Sequence, residues 1–262
     1  MCKLGEDVMK YREELEFLKE NIMCAYREIY PKAHENVMDK GEFDLVTAAD
    51  IRIEEFLRAR IRERYPNDAI YGEEQGESTG NSGRMWTMDP IDGTVNMARD
   101  IKIYGIQCAL LENGNAVMSM IYLPTFDELF HAVSGEGAYK NGERIYVARR
   151  KTSHAIISFG DFLHKSEEDM REQTKMLERS LHGFMRIKMF GAACMDFSSV
   201  ACGRTDATVI FTKNLWDIAP GALLAKEAGA YLYGLDGKEY NGDSAAVIAV
   251  SEKEHLSVIL EI

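Results

Sequence analysis

Apolar residues return at three- and four-residue steps through the N-terminal segment: Val8, Tyr11, Leu15, Leu18, Ile22, Tyr26 and Ile29. That period marks one face of an amphipathic helix, predicted from about Glu6 to Tyr30, with Pro31 following it. A polar loop is expected over Asp39 to Val46. Thr47 then opens a second helix that carries Ile53, Phe56, Leu57 and Ile61 on one face and ends near Tyr65-Pro66. Ala69-Ile70-Tyr71 reads as a short strand delivering Gly72-Glu73-Glu74. Gln75 to Arg84 is rich in Gly, Ser, Thr and Asn and reads as a mobile loop.

Beyond residue 100 the pattern turns to strands. Ile103 to Leu111, the Asn113-Gly114-Asn115 turn and Ala116 to Tyr122 predict a hairpin. Glu128 to Val133 adds a strand, and Lys140-Asn141-Gly142-Glu143 is a tight turn into Arg144 to Val147. Arg149-Arg150-Lys151 reads as a surface linker. After it, apolar strands (Ala155 to Phe159, Ala207 to Phe211, Ala246 to Val250) alternate with helices. The helices are expected over Glu167 to Leu181, Ala192 to Ala201, Ala219 to Ala228 and after Ser251. The expected organisation is an α+β half, residues 1–148, followed by an α/β half, residues 149–262.

Between the two patterns lies Met85-Trp86-Thr87-Met88-Asp89-Pro90-Ile91-Asp92-Gly93-Thr94-Val95-Asn96-Met97. An apolar run ends in two aspartates, and Gly-Thr opens the next segment. Asp-Pro and Asp-Gly are both turn formers. The same residues also offer carboxylate and carbonyl oxygens, which hard divalent cations take, beside backbone N–H groups that suit phosphate. Pro90 lacks an N–H, and the Ile91 carbonyl is expected to be free as a further ligand. Glu73-Glu74 is either a solvated pair or a carboxylate reaching into a site. Thr47 and Asp50 form a near capping box, and either could instead hold a nucleophilic water. Asp217, in Trp216-Asp217-Ile218-Ala219-Pro220, is expected as the N-cap of a helix with Pro220 in its first turn, a fixed position that also suits a metal ligand.

Composition narrows the chemistry. The 262 residues carry a net charge of −12, with 46% hydrophobic and 28% charged residues. This is globular composition, and the charge disfavours nucleic acid or an anionic membrane as main partner. A small anionic substrate stays compatible if bound cations reverse the local field. No apolar run reaches the roughly 20 residues of a membrane span, and the charged first residues do not resemble a signal peptide. Five scattered cysteines suit reduced, buried thiols, and a cytoplasmic location is expected. The six histidines show no paired spacing, and no nucleotide-binding P-loop is present.

Asp44-Leu45-Val46-Thr47-Ala48-Ala49-Asp50, Gly72-Glu73-Glu74, Trp86 to Asn96, and Trp216-Asp217 with Glu227-Ala228-Gly229 together resemble the inositol monophosphatase family, in order and approximate spacing over nearly the whole chain. The resemblance implies a layered αβαβα sugar-phosphatase fold and a homodimer. It implies a Mg²⁺-dependent phosphomonoesterase, with Mn²⁺ a substitute and Li⁺ inhibitory, that uses metal-activated water. One metal would sit on Glu73, Asp89 and the Ile91 carbonyl, a second on Asp89, Asp92 and Asp217, and a weaker third near Glu73. Thr94, backed by Asp50, would orient the water, with Glu73 also counted in the catalytic set. Asp92, Gly93, Thr94, Ala193 and Asp217 would contact substrate. The implied substrate is a small polyol or sugar phosphate, inositol monophosphate first, with fructose 1,6-bisphosphate and 3′-phosphoadenosine 5′-phosphate as alternatives. A metal- and phosphate-binding regulatory protein without turnover is the rival reading. Ile210 stands where such phosphatases usually carry a hydroxyl-binding acid, and Ala192 stands for a usual Thr.

Overall fold

The computed structural model describes residues 10–30, 37–41, 44–162, 166–242 and 244–262. Helix α1 (Arg12–Glu28) and helix α2 (Ala48–Arg64) lie against each other on one face of an eight-stranded sheet. The sheet runs in the order β10-β9-β8-β7-β6-β5-β3-β4. Its strands are β3 (Ala69–Gly72), β4 (Gly76–Ser78), β5 (Arg84–Asp92), β6 (Gly105–Glu112), β7 (Asn115–Leu123), β8 (Glu128–Val133), β9 (Gly137–Lys140) and β10 (Glu143–Ile145). A five-stranded sheet follows in the order β12-β11-β13-β15-β14: β11 (Ile156–Phe159), β12 (Arg186–Lys188), β13 (Ala207–Ile210), β14 (Tyr231–Tyr233) and β15 (Val247–Val250).

Two helices fill the space between the sheets. One is α5 (Ala193–Ala201) and the other α6 (Leu215–Glu227); α6 touches β5 to β9 on one side and β14 and β15 on the other. The outer face of the small sheet is covered by α4 (Glu167–Gly183) and α7 (Lys253–Leu260), and a short helix, α3 (Thr94–Ala98), follows β5. The layers are therefore α, β, α, β, α, as the resemblance implied. Strand alternation explains why five layers hold together. Met120 joins the cluster under α1 and α2, whereas its neighbour Ile121 faces α5 and α6. In β15, Val247 and Ala249 face the middle layer, and Ile248 and Val250 face α4 and α7.

Several elements depart from the sequence reading. The described residues of the expected Asp39 to Val46 loop are strand instead, β1 (Val37–Gly41) pairing antiparallel with β2 (Asp44–Thr47). Within Gln75 to Arg84, Gly76–Ser78 pairs with β3 as an edge strand. Strands β12 and β14 were not expected; each is three residues long and owes its conformation to its neighbour in the sheet. Helix α1 begins at Arg12, after Tyr11 in the left-handed region at φ 61°; Glu6 lies outside the described residues. Helix α6 starts at Leu215 with Asn214 as N-cap, so Asp217 is its third residue rather than its cap, and Pro220 sits inside the helix. The Asn214 carbonyl accepts from both Asp217 and Ile218, which closes the first turn without a side-chain cap. Cys108 and Cys194 are buried and Cys202 partly so, but Cys24 lies on the solvent side of α1.

Candidate active site

Strand β5 carries the centre of the site because its pairing breaks at its end. Asp89 faces Gln107 and Asp92 faces Gly105, so three steps along β5 match two along β6. Pro90 supplies no ladder N–H, and the resulting bulge turns both aspartates toward one cavity. The chain then reverses at Gly93, whose φ of 93° favours glycine. A Cβ there would also come within 2.9 Å of the Ile103 carbonyl and 3.1 Å of Ala192 Cβ.

The cavity, about 360 Å³, lies where β5, α3, α5 and α6 meet. Glu73, Asp89, Ile91, Asp92, Gly93, Thr94, Ala193 and Asp217 all line it. Glu73 arrives on the turn after β3, where its N–H donates to the Met88 carbonyl at 3.3 Å. Asp217 is brought opposite by α6, whose Trp216 meets Tyr71 edge to face at 4.9 Å. Asp50 does not line the cavity. It is fully buried behind Thr94, whose hydroxyl lies 2.9 Å from Asp50 Oδ1 and 2.9 Å from the Ile91 carbonyl oxygen. Asp50 Oδ2 accepts from the Thr47 hydroxyl and, at 2.9 Å, from the Thr47 N–H. The capping box is thus present, and its acid still reaches Thr94 with the other oxygen. The single Thr94 proton can go to Asp50 or to the Ile91 carbonyl, so the carbonyl is free as expected when Thr94 donates to Asp50 and keeps a second lone pair when it does not.

Asp92 is held from the other side of the cavity. The first N–H groups of α5 close on it, Ala193 at 3.2 Å and Cys194 closer, and Gln107 Nε2 donates at 3.2 Å. An orphan helix start thereby fixes a carboxylate. Asn96 fixes α5 in turn: its amide lies 2.9 Å from the Ile103 carbonyl and 2.7 Å from that of Phe190.

Electrostatics set this cavity apart. Asp89 is raised well above the usual carboxylate range, first by burial and then by the charges of Glu73, Asp92 and Asp217. Asp217 is pushed up to about 8 by burial and by Asp92 and Glu73. Burial also raises Asp92, against the lowering effect of its α5 hydrogen bonds, and raises Asp50 against those from Thr47 and Thr94. No lysine, arginine or histidine is among the described residues lining the cavity. Sequence reasoning missed Asp161, which lines the same cavity together with Phe162, Ile210 and Phe211. Its position was a usable signal: it follows β11, which runs parallel to β13, and ligands gather at the carboxyl ends of parallel strands.

The donors here are carboxylates, one carbonyl and one hydroxyl, a set that fits hard divalent cations. Among the described residues no three acidic, histidine or cysteine side chains converge tightly enough to enclose an ion unaided. The fit therefore lies in donor chemistry and in a lining that gathers Glu73, Asp89, Asp92 and Asp217 with no basic side chain among its described residues.

An αβαβα stack that gathers carboxylates at one broken strand end has close counterparts among solved structures. The extragenic suppressor protein SuhB of Bartonella henselae superposes with a TM-score of 0.86 at 29% identity, covering 94% of this chain and 96% of that one. The curated fructose-1,6-bisphosphatase/inositol-1-monophosphatase of Thermotoga maritima is 33% identical over 230 residues, 86% of this chain and 85% of that protein. Nus factor SuhB of Xylella fastidiosa is 34% identical over 204 residues, 78% of this chain and 74% of that protein. The sequence profile of the inositol monophosphatase family matches residues 8–262, and the chain belongs to that family of phosphatases.

Proposed function

We propose that this protein is a divalent-metal-dependent phosphomonoesterase acting on a small polyol or sugar phosphate. The observation that carries the reading is the cavity itself: Glu73, Asp89, Asp92 and Asp217 share it, and no described basic residue lines it. A phosphorylated substrate would be repelled there unless cations entered first. Glu73, Asp89, Asp92, Asp217 and the Ile91 carbonyl would hold Mg²⁺ or Mn²⁺. Bound ions would neutralise the cluster, acidify the attacking water and stabilise charge on the departing alcohol.

The chain's own residues supply order and a proton path. Thr94 can donate to Asp50 Oδ1 and so leave its oxygen lone pairs to accept from water. Burial raises Asp50, which makes it a better proton acceptor than an ordinary carboxylate. The N–H groups of Gly93 and Thr94 are assigned to phosphate, and Ala193 to the alcohol side. This connected Thr94–Asp50–Thr47 chain favours turnover over a purely binding role.

Substrate choice turns on Ile210 and Asp161. Ile210, 4% exposed, cannot accept from hydroxyls, whereas Asp161 is an exposed carboxylate on the same cavity. We assign to Asp161 the recognition of substrate hydroxyls, with Phe162 and Phe211 beside the ring. Phosphate release from inositol 1-phosphate, fructose 1,6-bisphosphate and 3′-phosphoadenosine 5′-phosphate, with and without Mg²⁺, tests the reading. Mg²⁺-dependent release from a polyol or sugar phosphate is expected; metal-dependent binding with no release from any of them would favour the regulatory alternative. Asp161→Asn should raise KM about tenfold with kcat little changed, the effect of weakening one charged hydrogen bond. Millimolar Li⁺ should inhibit. The reading also includes a cytoplasmic homodimer, its oligomeric state checked by mass in solution.

A further inference from the structure

The turn that presents Glu73 is held by side chains from another element. Strands β3 and β4 pair Gly72 with Gly76, which leaves Glu73, Glu74 and Gln75 as the connecting residues. Glu54, on α2, is 0% exposed and points its carboxylate into this turn. Its Oε2 accepts from the Glu74 N–H at 2.8 Å, and its Oε1 from the Gln75 N–H at 2.9 Å. Oε1 also accepts from Arg58 Nε at 2.7 Å, and Arg58 Nη2 donates onward to the Gly76 carbonyl. One buried ion pair thus takes two consecutive backbone N–H groups of a three-residue turn and the carbonyl of Gly76, the strand residue that follows it. Gly72 lies flush against it: a Cβ there would come within 2.5 Å of Glu54 Oε1.

A buried ion pair is a poor source of stability, because well-packed apolar residues of similar volume often do as well or better. Its use is better sought in geometry. Here both partners stay buried and every contact beyond the pair goes to the backbone around Glu73. We propose that Glu54 and Arg58 are positioning residues for Glu73, fixing the turn so that the Glu73 carboxylate stands in the cavity before a cation arrives. The inference rests on the metal-dependent reading above. Groups that orient a ligand from behind typically govern metal affinity by about 10–100-fold.

The test is Mn²⁺ binding to the full chain, followed by the electron-spin signal of free Mn²⁺ and read beside thermal unfolding and phosphate release. Glu54→Gln keeps the volume but turns one acceptor into a donor, so an N–H group at Glu74, Gln75 or Arg58 meets an NH₂. Gly72→Ala disturbs the same contact from the opposite side and leaves the pair chemically intact. In both, Mn²⁺ affinity should fall about 10–100-fold. The metal concentration for half-maximal turnover should rise in parallel, with kcat at saturating metal within a few-fold of the parent. Arg58→Lys, which keeps the charge but loses the forked donors, should fall between. Folded variants with parental Mn²⁺ affinity overturn the proposal even if they melt earlier, because that outcome is structural support alone. If Glu54→Gln does not fold, Gly72→Ala decides. A parent chain that binds no Mn²⁺ overturns the metal-dependent reading instead, a result distinct from variants that match a binding parent.

Discussion

Two groups of buried carboxylates in this chain are treated in opposite ways. Asp68 accepts from Trp86 Nε1 at 2.9 Å and Ser82 Oγ at 2.8 Å, and Arg84 Nε stands 3.1 Å away. Asp206, 0% exposed, accepts from the Ile156 N–H at 2.8 Å and pairs with Arg150 at 3.0 Å. Both have an arginine of the chain beside them. In the cavity, Asp89 and Asp217 face other acids, and burial and mutual repulsion raise both. A chain that folds with its charges neutralised in one place and crowded in another marks the second for something brought from outside.

The largest effect expected from this contrast is on turnover. Asp89→Asn keeps the shape but removes a shared anionic ligand, and kcat/KM should fall about 10³-fold or more, since several kcal/mol of charge stabilisation go with it. Asp68→Asn should leave turnover per folded molecule near the parent value. Similar losses in both variants, measured by phosphate release at saturating Mg²⁺, would erase the distinction between the two groups.

Acidity gives the next test. Protons and cations compete for carboxylates whose pKa is raised, so metal should bind more tightly as pH climbs toward about 8, where Asp217 loses its proton. Between pH 6 and 8, Mn²⁺ affinity should strengthen by up to about tenfold per pH unit for each proton displaced. A flat profile would mean that the cavity acids are already ionised at pH 6.

Removing a counterion from the neutralised group should act on stability instead. Arg150→Ala leaves Asp206 buried with one backbone donor, at a cost of about 1–3 kcal/mol. The estimate is modest because the Arg150 side chain is 44% exposed and water can screen the remainder. Mn²⁺ affinity should not move; if it does, the two groups are coupled and the contrast is too simple.

How much of this was legible in the sequence follows the same physical line. Helix α1 announces itself by period, because one face is buried, and the β6–β7 hairpin by two apolar runs around a turn, because both faces of its strands are covered. The Asp89–Thr94 segment announces itself by turn chemistry. Strands β4, β12 and β14 do not, since three residues carry no usable period and their pairing comes from neighbours in space. For Thr47 and Asp50 the sequence sets capping against function, yet Asp50 has two oxygens: Oδ2 closes the box and Oδ1 meets Thr94. Glu54 and Arg58 read as an ordinary i, i+4 pair on a helix. What made them more is the β3–β4 turn that folds over them, a contact across about 20 residues that no local pattern encodes.

The smallest effect is the one that separates the two groups most directly, and it needs no metal. Asp217 has its folded pKa raised to about 8, against about 3.9 for an unfolded chain. Between those values the folded protein keeps a proton that the unfolded chain has released. Stability from this group is therefore complete below about pH 4 and declines as pH rises through about 8. Asparagine carries no charge at any pH, so Asp217→Asn should raise the melting temperature of the metal-free protein at pH 8 by about 2–4 °C. Below about pH 4 the difference should nearly vanish, because the parent acid is then protonated in the folded and the unfolded chain alike. Saturating Mg²⁺ at pH 8 should reverse the order by stabilising only the parent. Asp206→Asn, which breaks a pair the protein itself supplies, should lower the melting temperature at pH 8 with or without metal. If Asp217→Asn also lowered it in the metal-free protein, the cavity acids would be part of the structural ledger after all.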